Sequence, residues 1–216
     1  MLLGIPDVMA ACRSPKPFVG VRVSGGTPNL LVKVKLTKMK DIFSMFSIPL
    51  IQMECVNWVV KKQQLLNLPK KLTKIDSIET DFHSYKNNSN FINNEEIKTI
   101  FKDELDYFMR TINISNLELT SSWFEKSTLG SSHSVHSHGI TGYSSVCYIN
   151  YDENCHSPLT FLAPYRNFLD GDDLFYTPTN IKEGTILFFP SAILHYAPLN
   201  ETTTERLVVS FNLNLY

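Results

Sequence analysis

The sequence predicts an α+β fold, mainly β, in which N-terminal helices support an antiparallel β-sandwich or barrel. Two patterns indicate this class. Residues 94–112 carry apolar side chains at the spacing of an amphipathic helix. After Leu117 the chain changes to short apolar and β-branched runs separated by turn residues. Helices followed by many strands are typical of this arrangement, and 216 residues suffice for one domain with a core.

The N-terminal part of the predicted fold is helical. Residues 47–68 predict a short strand and then a helix that ends before Pro69, whose ring would clash with a continuing helix. Asn93 can cap the helix over 94–112, with Glu96 able to reach back to it. An apolar stripe predicts that this helix covers a sheet; it consists of Ile97, Ile100, Phe101, Leu105, Phe108, Met109 and Ile112.

The C-terminal part is predicted to be β-structure. The predicted strands are Leu117–Phe124, Ser134–His138, Tyr143–Asn150, Leu159–Phe161, Thr185–Phe189 and Leu207–Leu215. Residues 83–94 are polar and Asn-rich, which predicts a surface loop. Residues 167–180, with Asp170, Asp172 and Asp173 around Gly171, predict a second loop that either lines the entrance of a site or is merely solvated.

Residues 1–38 differ in composition from the rest, since they hold four of the nine glycines and four of the eleven prolines. Three interpretations are open: a flexible arm, a targeting peptide, or translated sequence upstream of a start at Met39 or Met45. We favour the third. The predicted organisation is therefore an extension over 1–38 and a single domain over 39–216, with its β-core from about residue 117.

Composition excludes several classes of function. The net charge is −1, with an excess of five positive charges in residues 1–38, and neither value indicates a nucleic-acid surface. Apolar runs stay well short of the ~20 residues that span a bilayer. Four cysteines without a CxxC pair are typical of reduced thiols. We expect a cytoplasmic protein without a membrane or nucleic-acid partner, and the sequence does not indicate an oligomeric state.

Three histidines are candidate metal ligands. His136 and His138 flank Ser137, and residues at i and i+2 of an extended strand point to one face, so both rings could reach one ion. The best candidate for a third ligand is His195, which follows the strand 185–189 and the turn at Pro190-Ser191. Imidazole suits Fe, Zn, Cu and Ni. A His-x-His pair alone is weak support, because polar strand faces also carry histidines that bind no metal.

Arg206 opens the last predicted strand and adds a candidate anion site. Alternation places Arg206, Ser210 and Asn212 on one face of this strand. A buried guanidinium needs an anionic partner, and its planar fork matches a carboxylate, so a dicarboxylate co-substrate would provide one. The alternative is a structural arginine paired with Glu205 or Asp152.

Together and in order, these features resemble the Fe(II)/2-oxoglutarate-dependent oxygenase superfamily. The similarity is to the prolyl-hydroxylase-like oxygenases frequent in marine bacteria and their phages. The matching stretches cover about 90 residues and are Ser122-Trp123, His136-Ser137-His138, 144–148, 157–161, 183–191 with His195, and 206–212.

The resemblance implies a double-stranded β-helix, or jelly roll, of the cupin-like type. Its mouth would hold Fe(II), with Arg206 receiving the distal carboxylate of 2-oxoglutarate and Ser210 and Tyr148 as supporting donors. The implied reaction consumes O2 and 2-oxoglutarate, releases succinate and CO2, and hydroxylates an unidentified small molecule or peptidyl side chain such as proline. Ascorbate would be a supporting reductant, and a phage-encoded enzyme would act in the host cytoplasm.

One residue departs from the superfamily's commonest pattern, which is His-x-Asp. His138 stands where the carboxylate is usual, which removes one negative charge from the site. The change could retain Fe(II), favour another divalent metal, or leave His138 outside the metal's ligands, with water or Asp152 in its place. Two rival functions also remain: a three-histidine cupin-type dioxygenase that uses no 2-oxoglutarate, and a non-catalytic β-sandwich binding or structural module.

Overall fold

The two β-sheets and three helices of the fold are seen in a computed structural model that describes residues 47–68 and 92–216. The chain divides into two units, 1–48 and 49–216, and only Ser47 and Ile48 of the first are described. The predicted extension over 1–38 and most of the predicted loop 83–94 therefore lie outside the described residues.

The helices follow the predicted pattern with one interruption. They are α1 (Trp58–Asn67), α2 (Asn94–Ile100) and α3 (Lys102–Ile112). Asn93 caps α2 as predicted, its side chain accepting a hydrogen bond from the Glu95 amide (2.9 Å). The single helix predicted over 94–112 is divided at Phe101, which leaves helical geometry (φ −96°, ψ 21°). Its fully buried ring packs against Phe211, 5.6 Å between centroids, so packing explains this local departure.

Within residues 47–68 and 92–216, nine strands form two antiparallel sheets. The larger sheet has the order β1-β7-β4-β9-β2, and the smaller has the order β3-β8-β5-β6. The strands are β1 (Ile51–Glu54), β2 (Leu117–Ser127), β3 (His133–His136), β4 (Tyr143–Asn150), β5 (Thr160–Arg166), β6 (Asp173–Tyr176), β7 (Thr185–Pro190), β8 (His195–Ala197) and β9 (Arg206–Leu215).

Two sequence predictions about strands are corrected, and one observed strand, β8, was not predicted. The loop predicted over 167–180 contains β6, an edge strand that is largely exposed and so lacks the buried alternation that marks a strand. β8 has only three residues, too few to show a period. The strand predicted over 134–138 ends at His136, so His138 lies beyond it.

The larger sheet is covered on both faces. On one face, helix residues such as Leu65, Phe101 and Phe108 pack with Phe188 and Val209 of the sheet. On the other, an inner cluster joins the two sheets and consists of Val146, Tyr148, Phe161, Ile181, Leu187, Phe189 and Val208. The predicted fold class, mainly β with N-terminal helices, is confirmed.

β9 runs through the larger sheet between β4 and β2, and its alternation fixes which side chains reach the inner face. Leu207, Val209 and Phe211 belong to the helix-side core, whereas Val208 belongs to the inner cluster. Arg206 and Ser210 share the parity of Val208, so they face the smaller sheet as predicted. Among the described residues, no helix is long and apolar enough to cross a membrane.

Candidate active site

His136, His138 and His195 converge between the two sheets. The Nε2 atom of His138 lies 3.2 Å from Nε2 of His136 and 3.2 Å from Nε2 of His195. One ligand atom from each residue lies within 4.8 Å of the others, which is close enough for all three to bind one ion. The sequence prediction thus named three side chains that the fold brings together.

The other ring nitrogens of the outer two histidines contact backbone carbonyls, which fixes their tautomer. His136 Nδ1 lies 2.7 Å from the Ser134 carbonyl, and His195 Nδ1 lies 2.9 Å from the Ile193 carbonyl. A carbonyl oxygen only accepts, so Nδ1 carries the hydrogen and Nε2 keeps its lone pair free for a metal.

His138 reaches the same point by a route that the strand argument did not anticipate. It follows the end of β3, and its backbone amide donates to the Ser191 carbonyl (2.9 Å). Its ring forms a hydrogen bond with Asn212, which also accepts a hydrogen bond from Ser144 (2.8 Å). The prediction that His136 and His138 lie on one face of the same strand is therefore wrong, because the strand ends at His136. The two rings nevertheless converge.

Burial keeps the three imidazoles neutral. Burial first, and the neighbouring His136 second, lower the pKa of His195 to about 3 and that of His138 to about 4. Burial also lowers the pKa of His136 itself. A neutral imidazole is the form that binds a metal, so these ligands need lose no proton at neutral pH.

Arg206 is buried and holds no acidic partner among the described residues. Its Nη1 donates to the Ser157 carbonyl (2.7 Å), and burial lowers its pKa. Of the two alternatives, Glu205 pairs with Lys126 (2.7 Å), and Asp152 accepts hydrogen bonds from Asn154. The Glu125 carboxylate in the same cavity acts on Arg206 only from a distance, without an ion pair. A buried guanidinium without a paired anion is costly, so its position favours an anionic ligand.

A small cavity of about 20 Å³ lies beside Arg206, and its lining includes Tyr148, Ser127 and Glu125. His133, which stacks on His136, also lines this cavity. The Tyr148 hydroxyl accepts a hydrogen bond from the Leu159 amide (3.1 Å). Burial raises the pKa of Tyr148, so the hydroxyl keeps its proton and can still donate. Ser210 is buried on the same face of β9 but is not part of this lining.

Two residues of β2 belong to the site although the sequence did not single them out. Ser127 stands opposite Arg206 in the sheet, and its buried Oγ has no hydrogen-bond partner among the described residues. Glu125 stands opposite Val208 and lines the cavity. The sequence could have indicated both residues, because Trp123, Glu125 and Ser127 are separated by two positions and so lie on one face of a strand. They were missed because the predicted strand ended at Phe124.

The comparison with known families decides what kind of domain this is. Residues 121–212, which include the three histidines and Arg206, match the model of a family described as "Putative 2OG-Fe(II) oxygenase". Residues 121–212 therefore carry the sequence features of a 2OG-Fe(II) oxygenase domain. The match confirms the predicted resemblance to the Fe(II)/2-oxoglutarate-dependent oxygenases, the predicted enzyme class and the dependence on Fe(II), 2-oxoglutarate and O2. It carries no information about the source organism. No curated protein sequence matches the chain.

Solved structures confirm the jelly-roll fold of this oxygenase domain at low sequence identity. The non-heme alpha ketoglutarate dependent epimerase SnoN from nogalamycin biosynthesis is 12% identical, with a TM-score of 0.54 over 76% of this chain and 77% of SnoN. A 2OG-Fe(II) oxygenase family oxidoreductase from Burkholderia pseudomallei is 10% identical, with a TM-score of 0.54 over 76% and 84% of the two chains. The viral collagen prolyl hydroxylase from Paramecium bursaria Chlorella virus-1 is 13% identical, with a TM-score of 0.51 over 76% and 89%.

Proposed function

We propose that His136, His138 and His195 bind the Fe(II) of this oxygenase and that Arg206 binds the distal carboxylate of 2-oxoglutarate. The observation that carries the proposal is the pairing of two features on one inner surface. Three neutral imidazoles converge on one point, and a buried guanidinium without an ion-pair partner lines a cavity whose wall includes His133, the ring that stacks on His136.

The separation of the ring nitrogens fits a metal bound from one side. At a metal–nitrogen distance of about 2.1 Å, two nitrogens 3.2 Å apart subtend an angle of roughly 100° at the ion. The third pair of nitrogens, those of His136 and His195, lies within 4.8 Å, and three protein ligands would leave further positions on the ion open. Open positions are what an iron oxygenase needs for its co-substrate and O2.

Ser127 supports the assignment of the co-substrate cavity. A buried hydroxyl without a partner costs free energy unless a ligand satisfies it, and Ser127 lies directly across the sheet from Arg206. We propose that Ser127 and Tyr148 donate to the 2-oxoglutarate carboxylate that Arg206 binds. Ser210 is the other donor expected from the sequence. It lies on the same face of β9 as Arg206 but does not line the cavity, so we propose no direct contact with the carboxylate.

The chemistry is supplied by the bound partners, and the chain positions them. A bound Fe(II) would couple the reduction of O2 to two oxidations, with one oxygen atom going to succinate as 2-oxoglutarate loses CO2 and the other converting a substrate C–H bond to C–OH. The imidazoles remain neutral ligands, Arg206 neutralises and orients the dicarboxylate, and the inner apolar cluster excludes water from the cavity. This assignment differs from a three-histidine dioxygenase without a co-substrate, which would leave Arg206 without an anion.

We propose that the substrate's target is a small-molecule group or a peptidyl side chain such as proline. The support is the fold shared with a viral collagen prolyl hydroxylase.

The domain and its location complete the proposal. Every residue assigned a role lies between Glu125 and Ser210, so we propose that residues 39–216 form the oxygenase domain and that 1–38 takes no part in catalysis. We propose that the enzyme acts in the cytoplasm, without a nucleic-acid or membrane partner. The support is that Cys55, Cys147 and Cys155 are free thiols.

Binding of 2-oxoglutarate tests the role of Arg206 directly. We expect Arg206→Ala to weaken 2-oxoglutarate binding about 100-fold or more, because a charge-assisted, fork-shaped contact is lost. The measurement is anaerobic calorimetry on the Fe(II)-loaded protein. The matched control is Arg166→Ala, which removes an exposed arginine paired with Asp173 (3.1 Å). Equal affinities in the two variants would overturn the assignment.

A further inference from the structure

The carboxylate of Glu125 lies close to the proposed metal site. It contacts two aromatic rings, those of Trp123 and His133, that neighbour the ligand histidines. Only 14% of its side chain is exposed. Its Oε1 accepts a hydrogen bond from the indole Nε1 of Trp123 (2.6 Å), and its Oε2 lies 3.6 Å from Nδ1 of His133. Each carboxylate oxygen of Glu125 thus contacts one aromatic ring, Oε1 that of Trp123 and Oε2 that of His133.

Each of these rings packs on one of the histidines. Trp123 stacks on His138, with 5.4 Å between ring centroids and 18° between ring planes. His133 stacks on His136, with 4.0 Å between centroids and 20° between planes. One carboxylate therefore connects, through two stacked rings, to two of the three proposed metal ligands.

Glu125 also keeps its negative charge in this position. Burial alone would raise its pKa, but the hydrogen bond and charge of His133 and the hydrogen bond from Trp123 lower the pKa to about 2. A set of three imidazoles brings no charge of its own, so Glu125 is the nearby anion that favours a divalent cation.

We infer that Glu125 is a positioning residue of the metal centre, which supplies the negative charge absent from the three-histidine set and holds Trp123 and His133 against His138 and His136. The inference rests on the proposed assignment of the histidines as metal ligands. Glu125 itself stays outside the metal's ligands and acts through the two rings and through its field. Groups that orient metal-binding histidines commonly change affinity by about 10- to 100-fold when removed.

The test is the affinity of the metal-free protein for Co(II), followed by its visible absorption. Glu125→Gln keeps the side-chain shape and an oxygen that can accept from Trp123, but removes the charge. We expect Co(II) to bind about tenfold or more weakly, with the band shape of a site that keeps its three nitrogen ligands. The matched control is Glu118→Gln, an exposed carboxylate of the same strand that accepts a hydrogen bond from Tyr216 (3.0 Å).

A second variant keeps the inference testable if Glu125→Gln folds poorly. Glu125→Asp retains the charge, and we expect its Co(II) affinity to lie closer to the wild-type protein than to Glu125→Gln. Affinities of Glu125→Gln and Glu118→Gln within a factor of two of each other would overturn the inference alone, as would equal losses in the Asp and Gln variants. Failure of the wild-type protein to bind Co(II), or binding that survives His136→Ala, would overturn the assignment of the histidines as well.

Discussion

The site contains neutral, anionic and cationic side chains close together. His195 is buried, His136 and His138 are half-buried, and all three are neutral, whereas Glu125 is ionised and the buried Arg206 is cationic. Neutral imidazoles suit a metal, and the guanidinium suits a dicarboxylate. The site therefore has separate places for a cation and for an anion, as a 2OG-Fe(II) oxygenase requires.

The role of His138 is tested by two substitutions at the same position. We expect His138→Ala to lose metal affinity by about 100-fold, because one of three convergent ligands disappears. We expect His138→Asp to retain binding to within about tenfold, because it restores the carboxylate that is commonest in the superfamily. The measurement is the Co(II) dissociation constant. If both variants bind like the wild-type protein, His138 is not a ligand.

The ionised state of Glu125 predicts a pH dependence of stability. Its pKa is about 2 in the folded protein against an ordinary value of 4.5. A carboxyl group whose pKa is lowered by folding stabilises the protein above its ordinary pKa, and this contribution is lost as the pH falls from about 4.5 towards 2. We expect the free energy of unfolding of the metal-free protein to fall in that window by roughly 2 kcal/mol more than that of Glu125→Gln.

Urea unfolding of both proteins between pH 2 and pH 7 measures this difference. Two parallel profiles across the window would show that Glu125 titrates normally in the folded protein.

At the scale of elements, backbone hydrogen bonds link the loop before β4 to the backbone of His138 at the proposed metal site. The Gly142 carbonyl accepts from the Ser191 amide (3.0 Å), and the Ser191 carbonyl accepts from the amide of His138 (2.9 Å). Gly142 has φ +81°, and a Cβ there would collide with the Leu213 carbonyl of β9. The close approach of this loop to β9 therefore requires glycine.

We expect Gly142→Ala to destabilise the fold by at least about 2 kcal/mol more than Gly130→Ala and to weaken metal binding as well. Gly130 is the matched control because its φ is +82° and a Cβ there meets nothing within 4 Å. Both variants share the strain of a left-handed residue, about 1–2 kcal/mol, so their difference isolates the collision. Urea unfolding and Co(II) titration measure the two effects. Equal behaviour of the variants would show that the loop adjusts freely.

The same scale shows which features the sequence could predict. The strand 143–150 was predicted with its observed bounds, because buried and β-branched residues fill it between turn residues. β6 and β8 were missed because an exposed edge and a three-residue strand carry no period. The convergence of His136, His138 and His195 could be predicted from motif order, whereas the role of Glu125 depends on the partners that β2 meets across the sheet.

At the scale of the whole molecule, the larger sheet divides structural and functional tasks between its faces. One face packs against the helices through the larger core, and the other carries the cavity, Arg206 and the strands that surround the histidines. The fold is shared with oxygenases only 10–13% identical to this chain. The jelly roll therefore fixes where the site lies, while individual side chains determine its charge.

The central claim is tested most directly by the turnover of 2-oxoglutarate. The protein is incubated with Fe(II), O2, ascorbate and 2-oxoglutarate, and succinate is measured with and without candidate peptides that contain proline. We expect succinate formation that requires Fe(II), that falls at least about 100-fold in Arg206→Ala and His195→Ala, and that persists in Arg166→Ala. Succinate formation that is independent of Fe(II), or that is equal in Arg206→Ala and Arg166→Ala, would contradict the account.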